Sequence, residues 1–193
     1  MTSVCVFCGS KRGNENSFTN LARELGSRLA SENCKLIYGG AQIGLMGAVA
    51  DAALDNGGKV VGVIPVALSE REVAHTGLTD LIVTADMHER KKEMYSLADI
   101  FVALPGGIGT LEEVFEAATW TKLGMHEENR YKPVILLGGD GFWEPLTNFL
   151  DLLVDHGYLQ PANREIISSA SSVEEVITQI KFYNAGYKTP SEK

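Results

Sequence analysis

The sequence predicts a Rossmann-like α/β fold, a doubly wound and mostly parallel sheet in a single domain. Three observations predict it. Short apolar runs bounded by Gly and Pro alternate with longer segments of helical period. Three of those runs end in glycine-bearing turns, at Gly9–Gly13, Gly39–Gly47 and Gly106–Gly109. No repeat, linker or low-complexity segment divides the 193 residues, enough chain to bury roughly 70% of its unfolded surface. Residues 1–187 are expected to form the domain and 188–193 a disordered tail.

Ser3 to Cys8 reads as a first buried strand, followed by the polar loop from Gly9 to Asn14. The next helix is capped by Asn16 or Ser17 and carries Phe18, Leu21, Ala22, Leu25 and Leu29 on one face. Cys34 to Tyr38 is a second strand. The helix after its glycine turn is lined by Ala48, Ala50, Ala52 and Ala53, small enough for close packing, and stops at Asn56-Gly57-Gly58. Val60 to Ile64 is a third strand, stopped by Pro65. Residues 67–79 lack a period and read as a loop with one short helix. Leu81 to Thr84 is a fourth strand, with a helix over Met87 to Leu97. Asp99 to Leu104 is a fifth, and Leu111, Val114, Phe115 and Ala118 mark the buried face of its helix. Pro133 to Leu137 is a sixth strand, before a helix with Leu146, Phe149, Leu150 and Leu153 on one face. Ile166-Ile167 suggests a short last strand. Ser172 and Glu175 have the spacing of a capping box ahead of a final helix.

Composition narrows the function. A net charge of −8 argues against nucleic-acid binding. No apolar run approaches the roughly 20 residues of a membrane span, and none reads as a signal peptide, so a cytoplasmic protein is expected. Cys5 and Cys8 form a C-x-x-C, but within a strand they point to opposite faces, and only Cys34 remains as a further thiol. All three read as buried, reduced thiols. His75, His88, His126 and His156 have no metal-ligand spacing and read as surface or loop residues; neither metal nor cofactor is expected. A dinucleotide fingerprint would need glycine where Glu112 stands, and neither a nucleotide-triphosphatase loop nor G-x-S-x-G is present.

Two features point to an anionic ligand. The turn before the fifth helix offers free backbone N–H groups and the positive end of a helix dipole. On the preceding helix, Met87, Met94, Leu97 and Ala98 define an inward stripe, and Arg90 and Lys91 flank it. Such charges either snorkel to the rim or face an anion, for which the planar guanidinium fork is well suited. Thr110 and Glu113 also have capping-box spacing, so spacing alone gives Glu113 no preference over Glu112. Trp120 and Ala117 fall on the polar side of this helix, and an outward Trp predicts a homodimer contact.

The chain resembles the LONELY GUY family of cytokinin riboside 5′-monophosphate phosphoribohydrolases, long mislabelled as lysine decarboxylases. The family pattern P-G-G-x-G-T-x-x-E is met by Pro105 to Glu113 and its R-K pair by Arg90-Lys91. Phe7 to Ser10, Tyr38 to Gly40, Gly44 to Gly47 and Gly62 to Pro65 support the match, which spans about Ser3 to Ile180. Ala41, where many members have glycine, and Lys11, in place of a common serine, depart from it. The resemblance implies hydrolysis of the N-glycosidic bond of a purine nucleoside 5′-monophosphate, with an N6-modified AMP as substrate. It implies Arg90 and Glu113 as catalytic residues. It implies substrate contacts from Glu72, Arg90, Lys91, Gly107, Ile108, Gly109, Thr110, Leu111, Glu112, Glu113 and Thr119, with the phosphate on the N–H groups of Gly107 to Thr110 and Lys91 near it. Glu113 would stabilise an oxocarbenium-like sugar or act as base for the attacking water. A homodimer with sites near the interface is also implied. A nucleotide or cofactor carrier on the same fold, and a broad purine nucleotide nucleosidase, are the competing readings.

Overall fold

The computed structural model describes residues 1–69, 74–127, 130–139 and 141–185. The expected tail at 188–193, and Glu72, lie outside them. The strands are β1 (Ser3–Phe7), β2 (Lys35–Tyr38), β3 (Lys59–Pro65), β4 (Asp80–Thr84), β5 (Ile100–Ala103), β6 (Val134–Leu137) and β7 (Ile167–Ala170). Between and after them run α1 (Asn16–Ser31), α2 (Gly44–Asp55), α3 (Val66–Ser69), α4 (Met87–Leu97), α5 (Ile108–Leu123), α6 (Glu144–Asp155), α7 (Pro161–Arg164) and α8 (Val173–Asn184).

The seven strands form one sheet in the order β4-β3-β2-β1-β5-β6-β7, and every pairing is parallel. Parallel strands need both faces covered, which explains the near-continuous apolar runs. Residues of β1 alternate between the two cores. Val4 and Val6 pack with α1, α2 and α8 on one face, while Cys5 and Phe7 pack with α4, α5 and α6 on the other. Cys5, Cys8 and Cys34 are buried free thiols, with Cys5 and Cys8 in opposite cores.

Three expectations need correction. The first helix has Glu15 as its N-cap and no side-chain cap bond, so neither Asn16 nor Ser17 caps it. His75 and His126 are buried rather than superficial. His75 joins Asp51 at 2.9 Å, and His126 lies against Thr121 Oγ1 at 2.9 Å between the rings of Phe101 and Trp120. The third correction concerns the phase of α5. Its buried residues are Thr110, Glu113, Val114, Ala117 and Thr121, whereas Phe115 is 40% exposed. Trp120 turns in against Tyr95, ring centroids 5.2 Å apart, so it is not an outward aromatic. Leu111, Val114 and Ala118 do pack against the core, and polar Thr110 and Glu113 share the inward side, so the buried face is rotated from the expected one and leaves Phe115 out.

The strand order reverses between β1 and β5, whose register runs from Val4↔Ile100 to Phe7↔Ala103. At such a reversal the crossovers leave toward opposite faces, and a crevice opens beyond the carboxyl ends of the two strands. Two of the glycine turns, after β1 and after β5, border that crevice.

Candidate active site

The three turns are tied backbone to backbone. Gly9 N–H donates to the Pro105 carbonyl at 3.1 Å, and Leu45 N–H donates to the Gly9 carbonyl at 3.1 Å. Gly44 sits at φ +63°, and a Cβ there would lie 2.3 Å from the Ser10 carbonyl carbon. Only glycine combines that backbone with that approach. Ala41, the departure from the family pattern, is outside the left-handed region, so a side chain is tolerated. The turns enclose a cavity of about 550 Å³, within the range of small-molecule sites.

The amino end of α5 opens into this cavity. Its N-cap is Gly107, no side chain caps it, and its first turn carries no acidic residue. Gly107, Ile108, Gly109 and Thr110 all line the cavity, giving an uncapped helix end suited to an anion. Glu113 also lines it. The capping-box reading fails here, because the helix begins at Ile108 and makes no side-chain cap bond. The same spacing does cap a helix at α8, where Ser172 accepts from Glu175 N–H and Glu175 reaches back to accept from Ser171 N–H.

Glu113 is 9% exposed, and its carboxyl is pushed up to about 7. Burial is the main cause; Arg90 pulls the other way, and Glu112 adds to the rise. Arg90, also 9% exposed, reaches the cavity from α4. Its Nη2 stands 3.5 Å from Glu113 Oε1, too far for a hydrogen bond, which is why burial prevails over the attraction. Among the described residues, Arg90 Nη1 meets only the Met87 sulfur at 3.3 Å, and Nε is buried without a partner. The guanidinium therefore keeps donors free for a ligand. Gly39 makes room for it, since a Cβ there would fall 2.2 Å from Nη2.

Lys91 takes a different direction. It is 6% exposed, and its Nζ lies 2.5 Å from Glu112 Oε1 and 2.8 Å from Glu116 Oε2. Burial would lower its ammonium, but the hydrogen bonds it donates to Glu112 and Glu116 outweigh that and hold the pKa raised. Lys91 is not among the cavity residues. Nor are Leu111, which packs into the core under α5, and Thr119, whose hydroxyl donates to the Phe115 carbonyl. Glu112 borders the cavity while holding Lys91. Of the expected set, the cavity gathers Arg90, Gly107, Ile108, Gly109, Thr110, Glu112 and Glu113.

Sequence reasoning missed several walls. Lys11 and Arg12 bring positive charge to the mouth, and Phe18 and Phe142, in edge contact at 5.4 Å, form an aromatic side. The basic pair in a glycine-flanked loop at a strand end was a usable signal. Nothing in sequence order links Phe18 to Phe142.

The chain is similar to known proteins. A family model described as "Possible lysine decarboxylase" matches residues 46–180. Two Arabidopsis thaliana proteins named cytokinin riboside 5′-monophosphate phosphoribohydrolase are each 45% identical over 180 residues, covering 93% of this chain and 82% and 83% of theirs. A protein of that name from Oryza sativa subsp. japonica is 44% identical over 185 residues, 96% of this chain and 75% of its own. Among solved structures, the structural-genomics target TM1055 is 30% identical with a TM-score of 0.71, covering 94% of this chain and 99% of that one. A molybdenum cofactor carrier protein of Chlamydomonas reinhardtii, 23% identical with a TM-score of 0.70 over 95% of this chain and 98% of its own, shares the fold.

Proposed function

We propose, from the premise that the chain belongs to the family of cytokinin riboside 5′-monophosphate phosphoribohydrolases, that it hydrolyses the N-glycosidic bond of an N6-modified adenosine 5′-monophosphate. The products are the free base and ribose 5-phosphate. The observation that carries this reading is the pairing of Arg90 and Glu113 across 3.5 Å, in a cavity floored by the uncapped end of α5.

In this mechanism the 5′-phosphate sits on the N–H groups of Ile108 to Thr110 and anchors the ribose. Arg90 orients the nucleotide with its free donors. As the bond between the anomeric carbon and the base nitrogen lengthens, the electron pair leaves with the base and positive charge grows on the sugar. Ionised Glu113 stabilises that charge or takes a proton from the water that adds to the anomeric carbon. The departing nitrogen gains a proton, which balances the hydrolysis. Acid–base assistance of this kind contributes roughly 10²–10⁴-fold.

A lysine decarboxylase would need a lysine poised as a neutral amine. Lys91 is held charged by two carboxylates, Lys132, though its pKa is lowered by burial, donates to the Tyr95 carbonyl away from the cavity, and Lys11 at the mouth is exposed rather than desolvated. The carrier reading leaves the Arg90–Glu113 pair without a purpose.

The same proposal includes a homodimer, through a different surface from the one Trp120 suggested. Ile108, Phe115 and Leu123 on α5 are 83%, 40% and 61% exposed, with Thr119 between them. This apolar face beside the cavity mouth suits a second copy. Among the described residues no helix is long and apolar enough to cross a membrane. Three buried free thiols support a reducing, cytoplasmic setting.

The test is incubation of the purified protein with AMP, GMP and isopentenyl-AMP, with release of base followed by chromatography. Fastest release from isopentenyl-AMP is expected. Comparable rates from AMP and GMP would replace the cytokinin assignment by a broad nucleosidase. Tight binding without release would leave a carrier.

A further inference from the structure

One carboxylate outside the cavity holds the seam between α4 and α5. Glu116 Oε2 accepts from the Tyr95 hydroxyl at 2.8 Å and from Lys91 Nζ at 2.8 Å. Tyr95 is 1% exposed and is fixed edge-on against Phe101 and Trp120, so the core sets the position of that oxygen. Glu112 takes Lys91 from the other side. The Lys91 ammonium is thus committed to two carboxylates that flank Glu113 in the same helix.

Glu113 faces titratable groups from three elements. Cys5, on β1, and Cys8, just beyond its end, are held neutral by burial. Arg90, Lys91 and Tyr95 face it from α4, and Glu112 and Glu116 from its own helix. Of these, Arg90 and Lys91 favour its ionised form, while Glu112 and Glu116 oppose it.

We propose that Glu116 is a positioning residue for the hydrolysis: by clamping Lys91 and Tyr95 along the seam it holds the Lys91 ammonium in place between two carboxylates, and so sets the charge balance beside the catalytic carboxyl. The link to catalysis rests on the function proposed above; the electrostatic link stands by itself. Its signature is a pair of opposite signs. Removing the Glu116 charge leaves Lys91 with one partner and adds net positive charge beside Glu113, which favours the carboxylate. Removing the Lys91 charge does the reverse.

The experiment titrates the Glu113 carboxyl by ¹³C NMR in the full-length wild type, Glu116→Gln and Lys91→Met, alongside the pH profile of base release. Glu116→Gln is expected to lower the Glu113 titration and Lys91→Met to raise it, the Lys91→Met shift being the larger. The acid limb of kcat/KM should move with each, while KM in Glu116→Gln changes by less than about twofold, a split that mere loss of packing would not produce. Unshifted titrations, or shifts of the same sign in both variants, would overturn the proposal. A titration that moves while the acid limb stays fixed would overturn its catalytic part. If no variant and no wild type releases base, the function fails, and the NMR signs still decide the role of Glu116.

Discussion

Replacing Glu113 by Gln should change how stability depends on pH, by an amount that follows from its burial. The side chain is 9% exposed, and its carboxyl titrates at about 7 instead of an ordinary 4.5. Below pH 4.5 the carboxyl is protonated in both folded and unfolded chains and costs nothing. Between 4.5 and 7 the unfolded chain releases the proton while the folded one retains it, so the unfolded state binds fewer protons and stability falls as pH rises. Above 7 the penalty is complete. A displacement of roughly 2.5 units corresponds to about 3 kcal/mol. Gln resembles the protonated acid and does not titrate. The difference in unfolding free energy between Glu113→Gln and wild type should therefore grow by about 3 kcal/mol from pH 4 to pH 8. Urea melts of both proteins across that range measure it, and subtraction cancels the other titrating groups. The constant offset between the proteins is immaterial, since the amide meets Arg90 differently. A difference that stays level across the range, or shrinks with rising pH, would show that Glu113 is not a buried, reluctant carboxylate.

Other outcomes follow from the same geometry. The kcat/KM for base release should rise with pH through about 7 as Glu113 ionises, and Glu113→Gln should lose at least about 10²-fold in kcat; a flat profile in wild type removes Glu113 as the ionising group. Gly39→Ala places a methyl 2.2 Å from Arg90 Nη2 and should depress turnover toward the level of Arg90→Ala, with near-wild-type kinetics counting against the channel for the guanidinium. Phe115→Asp puts a charge on the exposed face of α5 and should yield a monomer in light scattering, whereas Trp120→Asp should destabilise the fold through its contacts with Tyr95 and His126. Ser172→Ala should cost about 1 kcal/mol in a urea melt through loss of its helix cap, and no activity.

Much of this protein is readable in its sequence, because buried parallel strands and glycine turns leave strong local marks. The alternation of apolar runs and helical periods locates every strand to within a residue or two, apart from the polar β7. What sequence cannot show is adjacency. The turns after β1 and β5 meet only because β5 inserts beside β1, and nothing local to residues 3–7 specifies that neighbour. The two ambiguities near the cavity have a common cause. Thr110–Glu113 and Ser172–Glu175 share one spacing, yet one pair enters a site and the other caps a helix. Arg90 and Lys91 flank one stripe symmetrically, yet one turns to the cavity and the other to the α4–α5 seam. Each outcome depends on which helix lies opposite, a property of tertiary packing.

The backbone tie from Gly9 to Pro105, with the β1–β5 ladder beneath it, carries a consequence for synthesis and refolding. The partners are separated by 96 positions, and ordering so long an intervening segment is slow relative to local helix formation. A chain emerging from the ribosome through β4 and α4 already has Arg90 but lacks the helix end and the carboxylate that face it. Nucleotide affinity should consequently arrive in one step, late, when β5 docks beside β1. Refolding monitored by a fluorescent nucleotide should lag the recovery of helical signal, and a ligand present from the outset should retard unfolding more than it accelerates folding.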